Sequence, residues 1–191
     1  KIGTTKRGNG PAYRDKYDRK GLRAEDMPCF EDYIVDIYEE LYSDPNAEIL
    51  FEGAQGFGLD VDWGDYPFVT SSHCTAGSAV LNGVPPTNIR DIWGVAKIYE
   101  TYVGAKSFQG DDPDFDIIRE LGDEYGATTG RPRQVNWFDL DRVRMAMNIN
   151  GVNRLVINKV DILRELGRWC LYDGPSVLEF DSAEDMNDYI V

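Results

Sequence analysis

Histidine occurs once in this chain of 191 residues, at His73, and cysteine three times, at Cys29, Cys74 and Cys170. With no second histidine, and no cysteine or aspartate pair at ligand spacing, nothing supports a zinc-type metal site, and His73 is expected to have a local structural role. The widely spaced cysteines form neither a disulfide framework nor a zinc pattern, which points to a reducing, cytoplasmic compartment. Positive charge is also scarce. Twenty Lys and Arg against 34 Asp and Glu leave a formal charge of -14. Such an acidic chain disfavours a nucleic-acid backbone or an anionic membrane as partner, but not a small phosphate ligand held by a few local arginines. No apolar run is long enough to span a bilayer, no secretory leader is visible, and there are no repeats or low-complexity tracts. Apolar residues nevertheless make up 42% of the chain, enough for a folded core.

The pattern of elements predicts an α/β protein with a mostly parallel central sheet flanked by helices. A short polar helix is expected over Pro11–Lys20, with Gly21 at its exit. Phe30, Tyr33, Ile34, Ile37, Tyr38 and Leu41 recur at helical spacing, and Ser43-Asp44-Pro45-Asn46 stops that helix. A buried-type strand is expected at Glu48–Phe51, loop over residues 57 to 72, a short helix at Thr75–Leu81, and one long strand over Ile92–Val103. Then come an acidic turn at Asp111–Asp114, a helix at Phe115–Leu121, an exposed loop over Glu124–Asn136, and a helix capped by Asp139 running to about Asn150. Arg154–Asn158 reads as a buried strand, Val177–Phe180 as a strand, and a helix follows from Ser182.

Four segments carry candidate chemistry. Gly3-Thr4-Thr5-Lys6-Arg7-Gly8-Asn9-Gly10-Pro11 brings glycines, hydroxyls and cations before a helix start, as an anion-binding loop requires, although a plain glycine turn has the same composition. It lacks the Gly-Lys-Ser/Thr ending of a Walker loop. Phe51-Glu52-Gly53-Ala54-Gln55-Gly56 places one glutamine among small residues at a strand end, where it either meets a purine edge or phosphate or simply turns the chain. Gly126-Ala127-Thr128-Thr129-Gly130-Arg131-Pro132-Arg133 sets two arginine forks beside two threonines, a carboxylate or phosphate clamp unless it is a solvated loop. Asn158-Lys159-Val160-Asp161 ends an apolar strand in a pattern suited to guanine, with the Asp accepting from the base and the Lys stem lying over it, although so short a tetrapeptide also occurs by chance.

Taken in order, Gly3–Ala12, Glu52–Gly56, Tyr66–Ser72, Val103–Ala105, Gly126–Arg133 and Lys159–Asp161 resemble the adenylosuccinate synthetase family across residues 1 to about 165. The resemblance implies a P-loop NTPase-like synthetase fold of which residues 1–191 form the central and C-terminal part of a single domain. It implies a ligase that joins L-aspartate to a purine nucleoside monophosphate with GTP or ATP, through a 6-phosphoryl intermediate. Thr4, Thr5, Gln55 and Thr70 then match contacts to the monophosphate nucleotide, with Gln55 also orienting the reacting group. Arg19 matches an arginine that reaches the partner subunit's monophosphate, hence a homodimer. Thr128, Thr129 and Arg131 match the aspartate loop. Arg133 matches an arginine at the triphosphate and transition state, and Lys159 with Asp161 the guanine-recognition pair. Arg131, Arg133, Gln55 and Thr70 are expected to serve one site.

The family's phosphate loop, catalytic Asp and His, and Mg2+ ligands have no match here. An upstream part is therefore expected, and the chain alone is not expected to be catalytically complete. Lys106-Ser107-Phe108-Gln109-Gly110 replaces the usual Gly-Pro-Phe-Pro-Thr-Glu, Pro132 stands where an arginine is usual, and His73-Cys74 replaces a polar pair. These departures resemble the phage PurZ-type branch, which acts on dGMP, more than the housekeeping branch, which uses IMP. A non-catalytic nucleotide-binding fragment and a GTP-binding switch are the competing readings; the absence of a Walker ending argues against the second.

Overall fold

The computed structural model describes residues 2–127 and 129–191. The chain divides into two compact units, one of Lys1–Thr5 with Asp91–Val191 and one of Lys6–Arg90.

The smaller unit is built from short helices: α1 (Asn9–Tyr17), α2 (Ile37–Tyr42) and α3 (Gly77–Leu81). The single amphipathic helix expected around Phe30–Leu41 is instead a 3-10 segment, Pro28–Tyr33, followed by α2. Asp36 causes the break. It takes an extended conformation and caps the new helix, accepting from the Tyr38 N–H at 2.8 Å and the Glu39 N–H at 3.1 Å. The strand expected at Glu48–Phe51 is also absent. Its residues pair with no other strand among the described residues, and Leu50 is 91% exposed. An apolar run becomes a strand only beside a partner with which to share backbone hydrogen bonds.

The larger unit is α/β and contains two sheets. β1 (Trp93–Lys97) pairs in parallel with β4 (Arg154–Asn158), Trp93 opposite Arg154 and Lys97 opposite Asn158. The second sheet has the order β2-β3-β5-β6, from β2 (Tyr99–Tyr102), β3 (Gln134–Asp139), β5 (Trp169–Asp173) and β6 (Ser176–Phe180). β3 and β5 run parallel, while β2 and β6 flank them antiparallel. The continuous strand expected over Ile92–Val103 is thus two strands in two sheets. The Ile98 N–H gives the last rung of the first sheet to the Asn158 carbonyl, and Tyr99 already pairs with Trp137. Ile98 and Tyr99 are both buried, though they are consecutive, which marks the switch: a straight half-buried strand would bury only one of them.

Helices α4 (Asp114–Leu121), α5 (Leu140–Asn150), α6 (Val160–Leu166) and α7 (Ala183–Ile190) complete the larger unit. Asp139 caps α5 as expected, accepting from the Arg142 N–H at 3.0 Å, and Gly151 ends it at φ 65°. Ser182 caps α7 in the same way. The core joins Phe115 and Ile118 of α4 to Tyr99, Trp137, Phe138 and Leu171 of the second sheet. The loop expected over Glu124–Asn136 is present between about 126 and 131, but its ends differ: Glu124 and Val135 are buried, and β3 begins at Gln134. The first sheet is half covered. Ala96 and Ile157 pack on the core, while Val95 on the other face is 70% exposed, so β4 alternates rather than being buried throughout.

Candidate functional site

Three of the sequence segments meet within the larger unit. Gly3 lies against Gly104 and Ala105. A Cβ on Gly3 would fall 3.0 Å from the Ala105 nitrogen, and φ is 75°, so only glycine serves here. Arg131 reaches the same place, donating from Nη2 to the Gly3 carbonyl at 3.1 Å. Its Nε is buried with no hydrogen-bond partner among the described residues. A buried unpaired guanidinium N–H is costly, and an anionic acceptor removes that cost. Thr4 and Thr5 follow Gly3 and are exposed.

The loop that carries Arg131 has a narrow neck. Tyr125 bridges Pro132, the Arg133 N–H donates to the Glu124 carbonyl at 2.9 Å, and the Gly126 N–H donates to the Arg131 carbonyl at 2.8 Å. Gly130, at φ 61°, closes the tip onto the Gly126 carbonyl at 2.7 Å. Thr129 is exposed, and Thr128 lies outside the described residues.

Beneath the neck is a charge network that the sequence reading did not anticipate. The buried Glu124 carboxylate accepts from Lys97 Nζ at 2.6 and 2.7 Å, from the Tyr99 hydroxyl at 2.8 Å and from Arg133 Nη1 at 2.8 Å. Lys97 also donates to Thr101 Oγ1 at 3.0 Å. Burial raises the Glu124 pKa, but the hydrogen bonds from Lys97 and Tyr99 and the charges of Lys97 and Arg133 outweigh it, so the group lies below its ordinary range. Burial depresses Lys97 more than its partner restores it. Burial first, and then Glu124, push the Tyr99 hydroxyl up. Lys97 ends β1 just as Asn158 ends the parallel β4, and the carboxyl ends of parallel strands are where α/β sheets present ligand-binding groups. No sequence signal marked Lys97, because it reads as the middle of one strand over Ile92–Val103, and only the structure ends β1 there. Glu124 had no such signal, because its burial depends on partners distant in sequence.

Lys159 sits at φ 62°, just beyond β4, and donates from Nζ to the Gly122 carbonyl at 2.9 Å; Asp161 is exposed at the start of α6. The segment that departs from the family pattern is held firmly. Gln134 accepts from the Phe108 and Gln109 N–H groups at 2.9 and 3.1 Å and donates to the Lys106 carbonyl at 2.7 Å. Lys106 lies over the Tyr102 and Phe108 rings at 5.7 and 5.2 Å.

The smaller unit holds the remaining candidates. Gln55 is exposed at φ 64°, a left-handed conformation that its glycine-flanked turn imposes. Arg19 is exposed at φ 58°, just past α1. The Thr70 N–H donates to the Leu59 carbonyl at 2.8 Å, which ties the Tyr66–Ser72 segment to the loop around Asp60. Asp60 is fully buried and accepts from the Asp62, Trp63 and Cys74 N–H groups at 2.9, 3.0 and 2.6 Å. Burial raises its pKa, yet these donors and His73 together bring it below the ordinary value. Asp60, Asp62 and His73 have ligand atoms within 4.8 Å of one another. Both Asp60 oxygens already serve backbone donors, so this group reads as a loop staple and does not fit Mg2+.

Comparison with known proteins places these features in a family. The adenylosuccinate synthetase family profile matches residues 28–169. Adenylosuccinate synthetases of Geobacillus sp. (strain WCH70) and Syntrophomonas wolfei are 39% and 40% identical, over 96% and 94% of this chain and 55% of each relative. The chain therefore spans about half the length of the curated relatives it matches. The first alignment covers 236 positions, more than the length of this chain, so the relative carries segments with no counterpart here. Among solved structures, fully ligated adenylosuccinate synthetase from Plasmodium falciparum superposes with a TM-score of 0.81 at 28% identity, over 97% of this chain and 56% of that one. Cyanophage S-2L succinoaminodeoxyadenylate synthetase (PurZ), bound to dGMP and dATP, gives 0.67 at 22% identity over 99% of this chain and 64% of that one, a likeness of fold alone.

Proposed function

The chain belongs to the adenylosuccinate synthetase family, and on that premise we propose that it forms the aspartate-binding and much of the nucleotide-binding part of a ligase acting on a purine nucleoside monophosphate. Both units belong to one catalytic domain in this reading. The observation that carries it is Arg131, a cation whose buried Nε has no partner among the described residues, in a glycine-threonine loop of a chain with net charge -14. A carboxylate of L-aspartate is the acceptor for that nitrogen, and Thr128 and Thr129 belong to the same aspartate-binding loop.

The reaction has two steps. The purine O6 takes the γ-phosphoryl group of GTP or ATP, releasing the diphosphate. The aspartate amine then attacks C6, and the C6–O6 bond breaks as inorganic phosphate leaves. Arg133 offsets the charge of the phosphoryl group in transit. Lys159 and Asp161 read a guanine on the donor, and Thr4, Thr5, Thr70 and Gln55 hold the acceptor nucleotide. The group that holds Mg2+ is not among these residues, so no step here is assigned to the metal.

For the acceptor base we propose guanine, as dGMP, on the strength of the changed and firmly held Lys106–Gly110 segment beside Gly3 and Gly104. Hypoxanthine, as IMP, is the second reading, favoured by the 37–40% identity to enzymes named adenylosuccinate synthetase. A homodimer is part of the proposal: Arg19, exposed at the end of a polar helix with no buried residue, reaches the partner subunit's monophosphate.

Phosphate release by the full-length protein tests the scheme. It should require nucleotide, L-aspartate and triphosphate together; release without aspartate would count against ligation. Mixing Arg19→Leu subunits with Arg131→Leu subunits should restore part of the activity if Arg19 crosses the interface. No recovery in dimers shown to exchange would remove that role.

A further inference from the structure

Glu124 fixes Arg133 twice. Its carbonyl accepts from the Arg133 N–H at 2.9 Å, and its carboxylate accepts from Nη1 at 2.8 Å. The carboxylate itself is fixed by Lys97 and Tyr99, and the residue is 1% exposed, so the anchor cannot drift toward solvent. Two cations around one carboxylate leave a net positive charge at the neck of the 126–131 loop. A guanidinium has five N–H donors, so holding one terminal nitrogen on Glu124 leaves the rest of the fork for an anion. A free arginine would have to lose its rotamer freedom on meeting that anion; an anchored one has already done so.

We propose that Glu124 is the positioning residue for Arg133, holding its guanidinium at the loop neck in the orientation that meets the transferring phosphoryl group. The inference rests on the role given to Arg133 under Proposed function. A buried ion network that served stability alone would have the same contacts, so the test must separate the two roles.

A double-mutant cycle on kcat does so in the full-length protein. Glu124→Gln keeps the size of the side chain but turns an acceptor into a donor that faces Lys97 and Arg133. It should lower kcat by about ten- to a hundredfold and change KM for aspartate by less than about threefold. Combined with Arg133→Leu, it should add little, because the group it positions is already gone. If the two losses multiply, Glu124 acts independently of Arg133 and the proposal is overturned while the reading of Arg133 stands. If Arg133→Leu alone leaves kcat unchanged, that reading fails and takes the proposal with it. Should the Glu124→Gln protein not fold, Tyr99→Phe removes one donor from the same carboxylate. A several-fold loss of kcat that disappears in the Arg133→Leu background supports the proposal, and an unchanged kcat overturns it.

Discussion

Arg131→Leu in the full-length protein is expected to raise KM for L-aspartate by about ten- to a hundredfold, with KM for the purine nucleotide nearly unchanged. A charge-assisted contact to a carboxylate contributes about 1.5–3 kcal/mol, and each 1.4 kcal/mol is about a factor of ten. The buried Nε sharpens the expectation, since the wild-type guanidinium has a donor that only a ligand or an undescribed neighbour can satisfy. The substitution also removes the bond to the Gly3 carbonyl, so a modest fall in thermal stability should accompany it. Arg131→Lys should be nearly as damaging, because an ammonium keeps the charge and loses the fork. Steady-state kinetics with aspartate varied at saturating nucleotide and triphosphate gives the result. Unchanged aspartate kinetics would take Arg131 out of the substrate site.

The acceptor base gives the second large effect. Guanine differs from hypoxanthine by a 2-amino group, for which a site must provide room and an acceptor. A buried amine left unpaired costs roughly 1–3 kcal/mol, about ten- to a hundredfold in kcat/KM. Residues 106–110 follow directly on the Gly104-Ala105 backbone against which Gly3 packs, and Gln134 and Asn136 hydrogen-bond to the backbone of Lys106, Phe108 and Gln109. In the proposed reading this segment lines the acceptor base, and its altered sequence decides which base edge fits. Competing dGMP against IMP, with aspartate and either ATP or GTP, should show dGMP preferred. Preference for IMP by tenfold or more would assign the chain to the housekeeping branch and leave the family intact.

Much of this was legible in the residues, and the failures have physical causes. Asp139 and Ser182 marked helix starts that the structure reproduces, because caps act within a few residues of themselves. Helix α4 was equally plain from Phe115 and Ile118. Strands were harder, since each is defined by its partner. Ile92–Val103 looked like one strand because its composition is uniform, and only the partners, Asn158 for Ile98 and Trp137 for Tyr99, divide it. Ile49, Leu50 and Phe51 had the composition and lacked the partner. At the candidate site, a glycine-rich segment singled out Arg131 and Arg133 as candidates from local composition alone. Glu124 looked like an exposed acid in a polar loop. It is buried because Lys97, Tyr99 and Arg133, all distant or across the loop neck, converge on it.

The central claim is that O6 of the purine leaves as phosphate when aspartate takes its place. Purine monophosphate carrying 18O at position 6, turned over by the full-length protein with L-aspartate and unlabelled triphosphate, tests it directly. The account predicts one 18O in each inorganic phosphate released and none retained in the aspartyl nucleotide product. Phosphate free of label, with 18O still on the purine or lost to water, would contradict it.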